Sequence, residues 1–217
     1  IIDSGLKGKD YVSYIATNNY KGGRLAGAFM AGLLNHRGKV IMLRYQEGSA
    51  STMQREKGFL DAMRRCRGIK VVSANQYGGA TTESAYKASE NLLAPLKKDG
   101  GLAIDGIFCP NESTTFGMLR ALQDAGLAGK VRFVGFDSSA KLVSALKKDQ
   151  INGLILQDPY RMGYLGVKTM VGHLKNRELP KSRHRAIKKV IDTGENLATQ
   201  KNMNDPEIRS LLEPKLD

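Results

Sequence analysis

Cysteine, tryptophan and long apolar runs are what this sequence has least of. Its 217 residues contain two cysteines and no tryptophan. No stretch approaches the roughly 20 apolar residues of a membrane helix. Cys66 and Cys109 lack metal-site spacing and do not form a disulfide framework, so we expect two free thiols, which leave the redox compartment open. The sequence begins without Met or a secretory leader, and we expect that its front was removed or that it is a fragment.

Sequence patterns of catalysis and cofactor binding are also missing. The sequence has no Walker A and no GxGxxG motif. Its three histidines, His36, His173 and His184, fall at predicted helix ends or in a basic loop, and no Ser-His or Cys-His arrangement is evident. We therefore expect no metal and no cofactor, and a protein that holds a molecule without transforming it, not an enzyme.

Positively charged residues outnumber negatively charged ones. The net charge is +13 and the pI is about 9.8, a balance that favours an acidic partner such as nucleic acid or a membrane surface. The densest basic runs, at 64–67 and 181–185, are not interleaved with the aromatic residues that stack on bases. We interpret the charge as a solvated basic face and do not expect nucleic acid as a partner.

Short apolar runs alternate with amphipathic segments along the chain. The strands are predicted at 12–16, 39–45, 70–75, 106–109, 131–136, 153–156 and 186–192. The helices are predicted at 20–34, 52–64, 82–93, 114–125, 140–147 and 160–174. Repeated βα units of this kind predict an α/β fold, a doubly wound parallel sheet with helices on both faces.

Polar side chains follow the predicted strands. Arg55 lies in the helix after the second strand, and Asn111, Asp137 and Gln157 follow later strands. In an open parallel sheet, ligands bind beyond the carboxyl ends of the strands. Carboxylate, guanidinium and amide groups can grip neighbouring hydroxyls through paired hydrogen bonds. These residues therefore predict a site for a polar, hydroxyl-rich molecule.

Each of these residues also has a structural interpretation. Asn111 and Asp137 are residue types that cap helix N-termini. Arg55 can be an exposed helix charge, and Gln157 before Asp158-Pro159 can belong to a turn. The pattern alone does not choose between the two interpretations.

Motifs in a fixed order resemble those of the ribose-binding-protein-like family of periplasmic sugar-binding proteins. They are Asn18–Gly27, Gln54–Phe59, Asn111 with the helix that follows, Val134-Gly135-Phe136-Asp137, and the segment Asp192–Asn202. The resemblance runs through nearly the whole chain and begins in the middle of the family's fold. It implies a type 1 periplasmic binding fold of two lobes and a hinge, with the second lobe complete and the first partial.

The resemblance assigns residues and lobes. It implies that Asp3, Arg55, Asn111, Asp137 and Gln157 bind the ligand. Residues 1–17 and 158–192 would be partial lobe one, and residues 18–157 and 193–217 would be lobe two. Ser4 stands where some relatives have a second ligand-binding Arg, and Ala80 aligns with the family's aromatic platform.

The function implied is the substrate-binding component of an ABC transporter, periplasmic or exported, that binds a small sugar or polyol. Its partners would be a membrane permease of the ABC transporter and a chemoreceptor. The alternative is the effector-binding domain of a LacI-type transcription regulator without its DNA-binding head. The segment 192–202 favours transport, whereas the net charge of +13 favours the regulator.

Overall fold

A computed structural model describes residues 1–8, 10–180, 182 and 186–214 of the chain. Four of the five residues in the predicted basic run 181–185, including His184, lie outside these residues, as do residue 9 of the predicted first lobe and the end of the second lobe at 215–217. Within them, no helix is both long enough and apolar enough to cross a membrane.

The elements alternate as the sequence predicts. The strands are β1 Tyr14–Ala16, β2 Gly38–Arg44, β3 Ile69–Tyr77, β4 Lys97–Lys98, β5 Gly101–Leu102, β6 Gly106–Phe108, β7 Arg132–Phe136, β8 Gly153–Leu156, β9 Val190–Asp192 and β10 Asn196–Ala198. The helices are α1 Asn19–Leu33, α2 Ala50–Arg65, α3 Thr82–Leu93, α4 Glu112–Asp124, α5 Ala140–Lys147, α6 Pro159–Arg177 and α7 Pro206–Leu212. A 3-10 turn at Ala94–Leu96 follows α3.

Six strands form the main sheet, in the order β10-β8-β7-β6-β2-β3. All neighbours in it are parallel except β10, which runs antiparallel to β8. The α/β fold with a parallel-dominated sheet is therefore confirmed. The strands β6, β7 and β8 are short, and buried almost throughout because helices cover both faces of the sheet.

The two faces of the sheet carry separate apolar layers. On one face α1 and α2 pack over a layer that includes Met30, Phe59, Phe108 and Phe136. Phe59 and Phe108 stack with their ring centroids 4.3 Å apart. On the other face, helices α3, α4, α5 and α7 cover the alternate side chains of the same strands. Apolar residues of the predicted amphipathic helices, among them Phe59, Met63, Leu119 and Leu122, lie in these layers.

Close contact between α1 and α2 depends on glycine. A Cβ on Gly23 would lie 1.9 Å from the carbonyl oxygen of Arg55, and a Cβ on Gly58 would lie 2.1 Å from that of Tyr20. No side chain fits such gaps, so these two glycines permit the backbones of the helices to touch. That contact places α1 directly beside the arginine of the candidate site.

A second, two-stranded sheet pairs β1 with β9 in parallel, and Ile2 adds a bridge to Ile15. Helix α6 packs against β1 but buries only Met162. Its Val167 and Leu174 are 69% and 50% exposed, and Leu165 is partly exposed. The outer face of α6 therefore carries apolar side chains that have few partners among the described residues.

Several predicted boundaries are wrong, for physical reasons. Strand 12–16 begins only at Tyr14, and strand 186–192 begins only at Val190, because each strand extends only where the other pairs with it. Helix 114–125 begins at Glu112, since Asn111 caps it. Strand β3 continues to Tyr77, where Gly78 and Gly79 end it.

Candidate functional site

Arg55 is buried, which excludes the interpretation of an exposed helix charge. Its side chain is 3% exposed although it lies on α2, because the N-terminus of α1 covers it. The Nε–H donates to Oδ1 of Asn19 at 2.8 Å, and Nη1 donates to the carbonyl oxygen of Pro110 at 3.0 Å. The guanidinium is therefore fixed in orientation by two acceptors at the carboxyl edge of the sheet.

Two further groups at the ends of strands surround that guanidinium. Its carbon lies 3.9 Å from the ring centroid of Phe136, and Nη1 lies 3.7 Å from Oδ2 of Asp137. Burial lowers the pKa of Arg55, and the charges of Asp137 and Asp3 oppose that shift. The arginine is thus a desolvated cation that faces carboxylates, an arrangement in which electrostatic attraction is stronger than in water.

Asp137 is held by its neighbours on both oxygens. Oδ2 accepts from the backbone N–H of Glu112 at 3.0 Å, and Oδ1 accepts from Nε2 of Gln157 at 2.6 Å. Its φ is +69°, a left-handed conformation that Asp adopts more readily than most residues. Helix α5 begins after Ser139, so Asp137 does not cap the helix that follows it.

Asn111 has the capping role that the sequence left open. Its Oδ1 accepts from the N–H of Thr114 at 3.4 Å and from the hydroxyl of the same residue at 2.6 Å, while Nδ2 donates to Ser113. It caps the N-terminus of α4 directly after Pro110, whose carbonyl holds Arg55. The side chain therefore lies at the predicted edge, with its oxygen engaged in the cap.

Gln157 lies where β8 ends, beside Asp137. Its Oε1 is buried and has no hydrogen-bond partner among the described residues, so this oxygen is an available acceptor. The residue that shapes the turn is Asp158, which accepts from the N–H of Arg161 at 2.8 Å and caps α6. The side chain of Gln157 is therefore not required for the turn.

Asp3 approaches the same region from the start of the chain. Its φ is +65°, and its carbonyl oxygen accepts from the Tyr14 hydroxyl at 3.2 Å. Burial raises the pKa of Tyr14, and the negative charge of Asp3 adds to that rise. The Asp3 carboxylate therefore lies within electrostatic reach of both Tyr14 and Arg55.

A cavity of about 1030 Å³ opens at this edge between α5, α6 and α7. Asp3, Asp137 and Gln157 line it, whereas Arg55 and Asn111 do not line it and stand behind them. The structure therefore brings all five predicted residues to one edge of the sheet but gives only three of them direct access to the cavity. Among the described residues, no three His, Cys, Asp or Glu side chains gather closely enough to hold a metal ion.

Sequence reasoning missed Asn19, Phe136 as a partner of Arg55, and the N–H of Glu112. Asn19 directly follows the helix cap Asn18, so the sequence suggests only a role at the start of the helix. Phe136 precedes Asp137 in an apolar strand, so the sequence suggests only core packing. Both contacts with Arg55 depend on how elements distant in sequence pack together, which no local pattern predicts.

The chain matches known proteins over most of its length. Residues 1–178 match the family model described as "Periplasmic binding protein domain". The ribose import binding protein RbsB of Haemophilus influenzae is 34% identical over 178 residues, which are 82% of this chain and 58% of that protein. The D-allose-binding periplasmic protein of Escherichia coli is 27% identical over 76% of this chain and 51% of its own length. The chain therefore spans between half and three fifths of these relatives.

Solved structures with the same fold are also similar. A carbohydrate transporter solute-binding protein from Agrobacterium radiobacter, in complex with D-arabinose, has a TM-score of 0.84 and 33% identity, covering 98% of this chain and 69% of that one. An ABC transporter solute-binding protein from Agrobacterium vitis with bound D-fucose has a TM-score of 0.87 and 31% identity, at the same coverage.

Proposed function

This chain belongs to the periplasmic binding protein domain family, and from that premise we propose that it is the substrate-binding component of an ABC transporter. It binds a small sugar or polyol without chemical change. The named relatives and the ligands in the two solved structures support a monosaccharide as the ligand class. A membrane permease is the partner that receives the ligand, a chemoreceptor is a second partner, and the compartment is the periplasm.

One observation carries the proposal. Asp137 presents a carboxylate at the cavity, flanked by the available Oε1 of Gln157 and backed by the buried guanidinium of Arg55. A carboxylate, an amide oxygen and a guanidinium side by side provide acceptors and donors for adjacent sugar hydroxyls. Asp3, from the start of the chain, lines the same cavity.

The division into lobes follows the two sheets. We assign residues 1–17 and 158–192, with the β1–β9 sheet and α6, to partial lobe one, and residues 18–157 and 193–217 to lobe two. The connections at 17–18 and 192–193 lie together, since Asn18 N–H donates to Asp192 Oδ1 and the N–H of Thr193 donates to the carbonyl of Ala16. Leu156, just before the connection at 157–158, pairs with Asn196, just after the connection at 192–193. Three adjacent crossings form a hinge about which the cleft closes on its ligand.

The names of the relatives favour the transporter over the LacI-type regulator, since each describes an import or solute-binding protein. An enzyme is not proposed, because the relatives and solved structures named above are binding and transport proteins, and hydrogen bonds hold both oxygens of the Asp137 carboxylate.

The test is the affinity for sugars of Asp137→Ala in the protein at the length of its relatives. A hydrogen bond to a charged group contributes about 1.5–3 kcal/mol, so the Kd for the preferred monosaccharide should rise roughly 10- to 100-fold in calorimetric titrations. Asp99→Ala is the matched control: this exposed aspartate also has positive φ but lies at the other edge of the sheet. Unchanged affinity in Asp137→Ala would leave Asp137 with a structural role only.

A further inference from the structure

The edge of the main sheet opposite the cavity is strongly cationic. Here the parallel strands β2, β3, β6, β7 and β8 begin, and basic residues lie in or beside their first positions. We call this surface the basic end. Its cationic side chains, all exposed, are those of Arg37, Lys39, Arg64, Arg65, Arg67, Lys70, Lys97, Lys98, Lys130, Arg132 and Lys148.

Strand pairing brings these residues onto one surface. Gly38 N–H donates to the carbonyl of Gly68 at 3.0 Å, and Lys39 pairs in register with Lys70. The N–H of Asp105 donates to the carbonyl of Lys39, and the N–H of Arg132 donates to the carbonyl of Asp105, so the starts of β2, β6 and β7 lie side by side. Since parallel strands lie about 4.8 Å apart, the five strand starts spread the charge over roughly 20 Å.

The charge of the basic end is not neutralised locally. Eleven cationic side chains stand against six carboxylates, an excess of five, which is more than a third of the chain's net charge of +13. Within the part of the chain that the structure describes, Arg64 alone among the eleven has a carboxylate within ion-pair distance, that of Asp61. The six carboxylates are those of Asp61, Glu90, Asp99, Asp105, Asp124 and Asp149.

Five of those carboxylates are already engaged by the protein. Asp61 pairs with Lys57 at 2.6 Å, and Asp105 accepts from the backbone N–H of Lys39 at 2.7 Å. The Tyr86 hydroxyl lies 3.0 Å from both Asp124 and Glu90, and Asn152 donates to Asp149 at 3.0 Å. Their charges are held close to the protein surface, while the long lysine and arginine side chains extend into solvent. The surface that a partner meets is therefore cationic.

We propose that the basic end docks this protein onto a membrane surface carrying anionic phospholipid headgroups. Lipid headgroups form a broad, laterally mobile anionic plane, which matches scattered cations better than a site that needs fixed geometry. The aromatic side chain beside the basic end, Tyr86, is partly buried and its hydroxyl is held by Asp124 and Glu90, so the surface fits lipid better than the stacked bases of nucleic acid. The inference goes beyond the proposed function and does not depend on it.

The position of the basic end allows docking and ligand binding at the same time. It lies at the edge of the sheet opposite Asp3, Asp137 and Gln157, although the cavity extends from them along α5 to Lys147, next to the basic end. A protein bound to headgroups through the strand starts keeps the predicted binding residues open to solvent. Docking therefore concentrates the protein at a membrane without competing with its ligand.

The experiment measures co-sedimentation of the chain with vesicles. We expect binding to vesicles of phosphatidylcholine containing about one third phosphatidylglycerol, and little binding to phosphatidylcholine alone. Each Lys or Arg near an anionic surface contributes about fivefold to partitioning. Arg65→Glu/Arg67→Glu/Lys70→Glu should therefore weaken binding at least about 100-fold, and raised salt should abolish it.

The control is Lys87→Glu/Lys168→Glu/Lys201→Glu, which makes the same change of net charge with exposed residues elsewhere. It should stay within about threefold of the wild type. Equal loss in both triples would reduce the effect to net charge and overturn the proposal, as would equal binding to neutral vesicles or tighter binding to a DNA duplex. Should the reversal variant lose its circular dichroism spectrum, Arg65→Gln/Arg67→Gln/Lys70→Gln replaces it, with an expected loss of at least about 30-fold.

Discussion

Replacing Asn19 by Leu removes an acceptor from a buried cation without changing much volume. Asn19 is 6% exposed, and its Oδ1 accepts the Nε–H of Arg55, which is itself 3% exposed. The Nε–H then has no partner in the folded state, whereas water solvates it in the unfolded state. Leaving a buried donor unpaired costs about 1–3 kcal/mol, and more when the group is charged.

We therefore expect Asn19→Leu to lower the free energy of unfolding by about 2–4 kcal/mol. For a chain of this size, that is a fall in Tm of about 4–16 °C. Urea denaturation with an unchanged m-value is the assay, since a constant m ties the change in midpoint to stability. Asn19→Asp keeps an acceptor oxygen at the same place and should recover most of the loss.

A double-mutant cycle separates this hydrogen bond from simple loss of packing. In Asn19→Leu/Arg55→Met neither partner is polar, so the combined cost should fall short of the sum of the single costs by at least about 1 kcal/mol. If Asn19→Leu unfolds within about 0.5 kcal/mol of the wild type, the reasoning fails, because Arg55 would then have another acceptor available.

Three further predictions concern packing, titration and ligand binding. Gly23→Ala should cost about 1–3 kcal/mol or more, because its Cβ would meet the carbonyl of Arg55, whereas Gly32→Ala, with open space around its Cβ, should stabilise the chain by about 0.5–1 kcal/mol in the same denaturation assay. Hydrogen bonds to Asp124 and Glu90 raise the pKa of Tyr86 to about 12. Any stability from this contact is present below the ordinary tyrosine pKa and is lost as the pH rises through about 12; in titrations of tyrosinate absorbance, Tyr86→Phe should remove the component near pH 12. The 217-residue chain should bind a sugar panel weakly or not at all, because a ligand held mainly by one wall of the cleft keeps competing with water; micromolar binding by a monomer would contradict this.

The alternation of strands and helices is predictable because its causes are local. Strands buried on both faces need continuous apolar runs, and helices on the surface need stripes, so each element signals its own type. The short strand Asn196–Ala198 is different. It exists because the edge of β8 offers it a partner, and no three-residue pattern contains that information.

Helix Pro206–Leu212 did carry a local signal that the prediction overlooked. Asp205 stands at its N-cap and Pro206 in its first turn, and Ile208 and Leu212 have the spacing of an apolar stripe. This element could have been found from the sequence.

The candidate site is predictable in its location and not in its internal contacts. Topology alone places residues that follow parallel strands at one edge, which is why Asp137 and Gln157 lie together. The burial of Arg55 depends on α1, which approaches only because Gly23 lacks a side chain. The capping of α4 by Asn111 was one of two open interpretations, and geometry was needed to choose it.

The pairing of β1 with β9 sets the order in which this chain can fold. The two strands lie at opposite ends of the sequence, and the hydrogen bond from Asn18 to Asp192 joins residues 174 positions apart. Strands β2 to β8 lie between them in the sequence and contact one another at shorter range. The small β1–β9 sheet is therefore the last part to assemble, and its closure carries the largest loop entropy of the fold.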